Sequence, residues 1–386
     1  MLKDSFTYGE GVEEVDCDVV DPIDYRYAVE HPEEVLNNFI PDVKAIIHPV
    51  NMAKIYPVTI NYNDASYAFQ SEDGLFSFID MIAEKLYESA KIDLFFLIKY
   101  LIQKRIISGT VAAEFIDDYD NMEPDRQIAA IKGIINRMIA PTRKYNPAGL
   151  LKGVNFRDMT LIIDGETEAN MSTLTLAKAF NRSDAEFQTS FAMIDDWTTN
   201  DFDRLKKLIP DVEEFTQDEK NLLSTVKAFC STRDWWQIRD KDIQFNAINT
   251  NGGNVTEFEN PMTLTKNRFL HVQRILATSP FQPAFFVTAE EPAVTSVTVA
   301  PSELEYTQVP VKVETVLSAA VVTTGGANKS VFWSVDDTAA AAGVSVDITG
   351  KISIPANFEG EIEVTATSVF DSTKSDVATI TVTAEG

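Results

Sequence analysis

The stretch Leu75–Ile107, LFSFIDMIAEKLYESAKIDLFFLIKYLIQKRII, limits the fold more than any other part of the chain. Apolar residues recur at Phe76, Ile79, Ala83, Leu86, Ala90, Leu94, Leu97 and Leu101, in steps of three and four that share one helix face. Asp80, Glu84, Lys85, Glu88, Lys91 and Lys99 fill much of the other side. Ser71-Glu72-Asp73-Gly74 is a start signal and Ser108-Gly109 a stop, with no Pro or Gly between Leu75 and Ile107. The spacing predicts one helix of roughly 50 Å at ~1.5 Å per residue. Its second half is apolar on more sides (Ile92, Phe95, Phe96, Ile98, Ile102), which predicts packing on two faces. Lys91, Asp93, Lys99, Lys104 and Arg105 interrupt any apolar run long enough to cross a bilayer.

A chain of 386 residues has room for two or three domains, and 45% hydrophobic residues are enough for packed cores. The net charge of −26 argues against a protein that grips nucleic acid or an anionic membrane, because neutralising phosphates takes a surplus of Lys and Arg. The two cysteines, Cys17 and Cys230, form no CxxC pair and are read as free, mostly buried thiols. The acidic N-terminus has no apolar signal core, so export by a Sec-type signal is not expected.

Residues 1–50 read as an extended acidic arm with a short helix over Pro32–Phe39. Met52–Phe69 contains a strand at Tyr56–Tyr62 and a turn at Asn63-Asp64. Beyond the long helix, Thr110–Tyr119 is extended and Arg126–Ala140 is helical, opened by Pro124-Asp125 and stopped by Pro141. Then come a buried-type strand at Arg157–Gly165, a short helix at Thr173–Asn181, a strand near Ser190–Ile194 and a helical piece near Phe202–Leu208. An aromatic strand pair, Val226–Cys230 and Trp235–Ile238, and a loop at Thr250–Asn254 precede two strands, FLHVQRILA and AFFVT, broken near Ser279-Pro280. Helices early and strands late make an α+β pattern, without βαβ repetition. At Thr288–Pro292, read as a linker, the composition turns to Thr, Val, Ala and Ser. Short alternating runs follow at Val294–Ala300, Val311–Ser318, Ser330–Val335, Lys351–Ile354, Glu361–Val369 and Val377–Val382. They predict a small β-sandwich with Trp333 in its core.

The sequence offers no motif for catalysis. His31, His48 and His271 are scattered, and no HExxH, Gly-x-Ser-x-Gly, phosphate-loop or Cys/His spacing occurs. The acidic run Asp117, Asp118, Asp120, Glu123 lacks the central Gly and closing Glu of a calcium loop. Asp195-Asp196 and Asp164/Glu166 are neighbours expected by chance among 59 acidic residues. No catalytic, cofactor-binding or metal residue is assigned, and no cofactor.

Three ordered segments resemble the major capsid proteins of small short-tailed bacteriophages, the podoviruses of the Bacillus-phage type. They are FSFIDMIAEKLYESAKIDLFFLIKYLI, then MTLIIDGETEANMSTLTLAKAFNRSDAEF, then RDWWQIRDK with NRFLHVQRILATSPFQPAFFV. The tail resembles a bacterial Ig-like group 2 domain through VTSVTVAPSELEY, VFWSVDD, DITGKISI and GEIEVTATS.

The resemblance implies a Hong Kong 97-like capsid fold followed by an all-β Ig-like sandwich. Residues 1–51 would form an N-terminal arm and 52–290 the capsid domain. Within it, an extended loop would cover about 52–70, a peripheral domain about 71–141 and 241–290 with the long helix as its spine, and an axial domain about 142–240. The Ig-like domain would cover 293–386. The implied function is a self-assembling shell, icosahedral or prolate, enclosing phage DNA without binding it specifically. The implied partners are copies of itself in pentamers and hexamers, a scaffolding protein, the portal, and weakly the host surface through an outward Ig-like domain; no membrane is involved. Assembly would take place in the host cytoplasm. The segment ahead of the spine helix is short for this group, which implies a reduced arm or extended loop. The same tail leaves two other readings, a cell-wall-binding adhesin and a minor virion decoration protein.

Overall fold

The long helix is real and unbroken. In the structure, a computed structural model, α1 runs over Glu72–Ile107 with Lys104 and Arg105 in its last turn. Residues 2–6, 9–20, 22, 43–61, 72–165, 167, 191–241, 255–260, 265–307, 311–356 and 358–383 are described. The predicted pieces at Pro32–Phe39, Asn63-Asp64, Thr173–Asn181 and Thr250–Asn254 lie outside them.

Leu86 and Leu97 of the expected apolar face of α1 are buried, and the helix is covered beyond that face. Leu97, Ile102 and Ile106 are buried, but so are Asp93, Lys99 and Gln103, whereas Ile92 and Phe95 are exposed. Periodicity tells which residues share a face; it does not tell which face the rest of the fold covers.

The chain forms two units. The first comprises Met1–Ile102, Thr199–Phe215 and Arg233–Ser279. Its centre is the fourteen-residue strand β11 (Thr265–Thr278). Strand β4 (Met52–Asn61) pairs antiparallel along β11 from Asn61↔Thr265 to Met52↔Arg274. On the opposite edge, β10 (Val255–Asn260) pairs the first half of β11 and β9 (Trp236–Lys241) the second. Strand β1 (Leu2–Phe6) adds to β9 in parallel. A separate ribbon pairs β2 (Gly11–Cys17) with β3 (Val43–Pro49). Among the described residues of the N-terminal arm, Leu2–Phe6, Gly11–Cys17 and Val43–Pro49 are strand, and Met52–Asn61 is a sheet strand held by cross-strand bonding over ten register pairs, a long-range pairing that local sequence patterns do not encode.

The second unit comprises Gln103–Thr198, Thr216–Thr232 and Pro280–Gly386. Its first sheet runs β5 (Ala112–Phe115), β12 (Ala284–Thr288), β8 (Val226–Thr232), β6 (Met159–Asp164), β7 (Phe191–Ile194). Helix α2 (Pro124–Ile139), with Pro at its first turn, buries Ile128, Ile131, Ile134, Ile135 and Met138 in the core that contains Leu161, Ile163, Phe285 and Val287. α3 (Phe202–Leu208) belongs to the first unit; α4 (Gln217–Ser224) belongs to the second. Because β5 and β12 share a sheet with β6 and β8, the expected boundary near 141 falls inside one unit. The expected aromatic pair is divided as well: β8 lies in this sheet and β9 in that of the first unit.

The C-terminal strands start at Ala293. They form a pair, β13 (Ala293–Ala300) with β16 (Ser318–Thr324), and a four-stranded sheet, β14 (Glu303–Thr307), β21 (Ser375–Thr383), β20 (Gly360–Ser368), β17 (Val331–Val335). A third sheet runs β15 (Val313–Val316), β19 (Lys351–Ile354), β18 (Ser345–Val346). All three contribute to one core, in which Val297, Leu317, Ile352, Ile362, Val364 and Ile380 are buried. Trp333 is half-buried at its margin, not in its centre. Asp336 opens a short helix, α5 (Asp337–Ala341), its carboxylate capping the amides of Thr338 and Ala339.

Candidate assembly surfaces

The β2–β3 ribbon has one anchored face and one open face. Directly opposed residues share a face, and successive pairs alternate. The pairs Val12↔His48 and Glu14↔Ile46 form the anchored side. There His48 is buried and its Nε2 lies 2.9 Å from Glu14 Oε2, while Gln237 Nε2 on β9 donates to Glu14 Oε1 at 3.2 Å. At the base, Asn51 binds both backbone groups of Leu276, at 2.8 and 2.9 Å. The pairs Glu13↔Ile47, Val15↔Ala45 and Cys17↔Val43 form the other side. There Val15, Val43 and Ile47 are 56%, 55% and 69% exposed. An apolar row on a fixed ribbon is a surface for association. Cys17, expected to be buried, is exposed on this row, and Cys230 is buried.

A second uncovered stripe lies along α1. Met81, Ile92 and Phe95 are exposed and fall within one narrow sector at 3.6 residues per turn. Lys85 and Glu88 form an ion pair within it.

Buried polar clusters fix elements within each unit. Asp93 of α1 accepts a 2.6 Å hydrogen bond from the Tyr56 hydroxyl and pairs with the Arg204 guanidinium of α3. Asp201 holds that guanidinium's helix by capping the Arg204 amide at 2.9 Å. Burial, and then the Asp93 carboxylate, pushes the Tyr56 phenol upward; Asp93 also pushes Arg204 upward. Lys54, Asp203 and Lys207 join these residues around a cleft of about 510 Å³. In the second unit, Glu114 of β5 is 5% exposed. It accepts from Lys144 Nζ at 2.5 Å, the Tyr145 hydroxyl at 2.9 Å and Arg137 Nη2 at 3.3 Å. Burial, then Glu114, drives the Tyr145 phenol upward. These are structural carboxylates, each neutralised by fixed donors. Neither cluster is legible in the chain's order: Arg204 lies 111 residues from Asp93.

The acidic residues singled out in the sequence have local roles. Asp164 Oδ1 accepts from the Thr167 amide at 2.7 Å, Asp196 Oδ1 from the Thr198 amide at 2.5 Å, and Asp120 pairs with Lys227 at 2.7 Å. His271 lies 2.9 Å from Thr256 Oγ1, and burial pushes its pKa down. His31 and Glu166 lie outside the described residues. Among the described residues, no group of three or more His, Cys, Asp or Glu could hold a metal, and no helix is long and apolar enough to cross a membrane.

The model of the Phi29-like phage major capsid protein family matches residues 1–288. The major capsid protein of Bacillus phage B103 is 27% identical over 376 residues, covering 95% of this chain and 74% of the relative. That of Bacillus phage PZA is 26% identical over 375 residues, with the same coverage. Among solved structures, a chain in the capsid structure of Staphylococcus phage Andhra superimposes with a TM-score of 0.57 at 14% identity, covering 75% of this chain and 83% of that one. The fold is therefore the Hong Kong 97-like capsid fold with a strand-rich C-terminal region. The chain belongs to the Phi29-like phage major capsid proteins and self-associates into the shell of the virion.

Proposed function

We propose that the shell is tied together by the β2–β3 ribbon of one copy lying against the exposed α1 stripe of a neighbour. The observation that carries this reading is the uncovered apolar row Val15, Val43 and Ile47 on the ribbon together with the uncovered stripe of α1, where Met81, Ile92 and Phe95 flank the Lys85–Glu88 ion pair. A shell protein must bury such rows somewhere, and a heterologous contact between different patches can close into rings. Each contact is small, and the shell gains stability because each subunit makes several at once.

The finer organisation follows the same reading. The C-terminal strands form an Ig-like domain on the outer surface, available for weak contact with the host. A scaffolding protein sets the curvature and the portal occupies one vertex. The acidic chain repels the phosphates of the enclosed DNA, which is held by confinement and not by specific contacts. The work is geometric, and no reaction is assigned to it.

The test is Ile47→Asp and Phe95→Asp, each in the full chain. Both should leave the subunit folded and stop shells from forming in electron micrographs. Shells of ordinary yield from either variant would overturn the ribbon-to-helix contact.

A further inference from the structure

The C-terminal strands meet the family-matched part of the chain at the end of the long helix. A helix end leaves carbonyls without intrahelical partners. At the end of α1, Gly109 adopts φ +66°, and its amide donates to the Ile106 carbonyl at 3.0 Å. The carbonyl of Gly109 then accepts from the Lys329 amide at 3.0 Å, and that of Ile107 accepts from Lys329 Nζ at 3.2 Å. One residue, 222 positions along the chain from Ile107, thus closes two carbonyls and brings a positive charge to the negative end of the helix.

Both sides of this contact are glycine where a side chain has no room. A Cβ on Gly109 would lie 2.7 Å from Lys329 Cγ. A Cβ on Gly326, at φ +71°, would lie 2.5 Å from Phe286 Cζ and 3.1 Å from Leu222 Cδ1. Ala327 and Asn328, between Gly326 and Lys329, are buried. On the neighbouring strand β17, the Phe332 ring stands against Gly149, where a Cβ would come within 3.3 Å of it.

The connection is held down as well. The Thr288 carbonyl accepts from the Ile116 amide at 3.2 Å, its hydroxyl meets the Thr225 hydroxyl at 3.0 Å, and the Ala289 amide donates to the Thr225 carbonyl at 3.0 Å. Residues 288–292 are therefore not the slack linker that the change in composition suggests. So short and pinned a connection holds the strands beside the body of their own chain.

We propose that the C-terminal strands are a clamp, docked on the body of their own subunit through Gly325–Lys329, that closes the C-terminal end of α1. The clamp stays in place without its covalent connection, because the contact itself is complementary. This inference does not depend on the ribbon contact proposed above.

The experiment uses the full chain with a protease site inserted between Pro292 and Ala293, cut in the folded, unassembled subunit. Glu291 and Ala293 beside the insertion are exposed. The two pieces should elute together on native gel filtration, and Gly326→Val should make them elute apart. Pieces that separate after cutting the otherwise unchanged chain would overturn the clamp. A second measurement needs no cut and does not depend on Gly326→Val folding. In Lys329→Met, which keeps the backbone amide but removes the ammonium, hydrogen exchange at the Ser108, Gly109 and Thr110 amides should accelerate roughly 5–10-fold as the Ile107 carbonyl loses its partner. Unchanged exchange there would overturn the closing role of the Lys329 side chain.

Discussion

Asp93 is a carboxylate inside a protein, and its position depends on two donors that the sequence places far away. Its side chain is 3% exposed, whereas that of Arg204 is 37% exposed. Removing Arg204 strands the carboxylate, although water can partly replace so exposed a partner. Arg204→Met should therefore cost about 2 kcal/mol, below the roughly 3–5 kcal/mol of a fully enclosed pair. Urea unfolding measures it, and an unchanged midpoint at unchanged slope would show that Asp93 finds another partner. The buried tyrosines set the alkaline limit. Burial raises the phenols of Tyr119 and Tyr145 above the ordinary 10.0. A proton is then lost from the unfolded chain before the folded one, so stability is fully present below pH 10 and falls as pH rises beyond it. Tyr145→Phe should flatten that decline in thermal melts between pH 9 and 11, and an identical decline would assign it to other groups. None of this was legible at the residue scale. Spacing puts Lys99 on the polar side of α1, yet it is 1% exposed, because spacing along a helix does not tell a buried charge from a hydrated one.

Elements were more legible than their partners. The long helix, α2, the strand Lys351–Ile354 and the helical piece Phe202–Leu208 stand where spacing and punctuation put them. These signals are local. Helix α4 is too short to show in apolar spacing, although its start is written in the chain: the Thr216 hydroxyl accepts from the Glu219 amide, and the Glu219 carboxylate accepts from the Thr216 amide at 2.7 Å. Thr216→Ala should cost about 1 kcal/mol in chemical unfolding. No loss would mean that packing of Leu223 alone holds the helix. Pairing is not local, which is why Val226–Cys230 and Trp235–Ile238 could be recognised as strands and still be assigned to one sheet. The same limit hid the ribbon. Val15 and Ile47 read as unremarkable residues of an acidic arm until the register Glu13↔Ile47, Val15↔Ala45 put them on one face.

For the whole molecule, the ordered set of three segments carried the fold class, and the capsid family followed from it. What the set could not convey is how the C-terminal strands attach. Thr324-Gly325-Gly326 reads as a turn in any β-rich stretch, and only its seat against Phe286 and Glu291 shows a second use. Charge acts at this scale too. Subunits of net charge −26 repel one another, and salt screens that repulsion within ~8 Å at 0.15 M against ~30 Å at 0.01 M. The protein concentration at which shells first scatter light should therefore fall as salt rises between those two values. A threshold that rises instead would mean that attractive ion pairs dominate the contacts. The most direct test of the shell-building role is the copy number of this chain in purified virions, by quantitative mass spectrometry. It should be the most abundant protein of the particle, far in excess of the portal. A chain present in no more copies than the portal would contradict it.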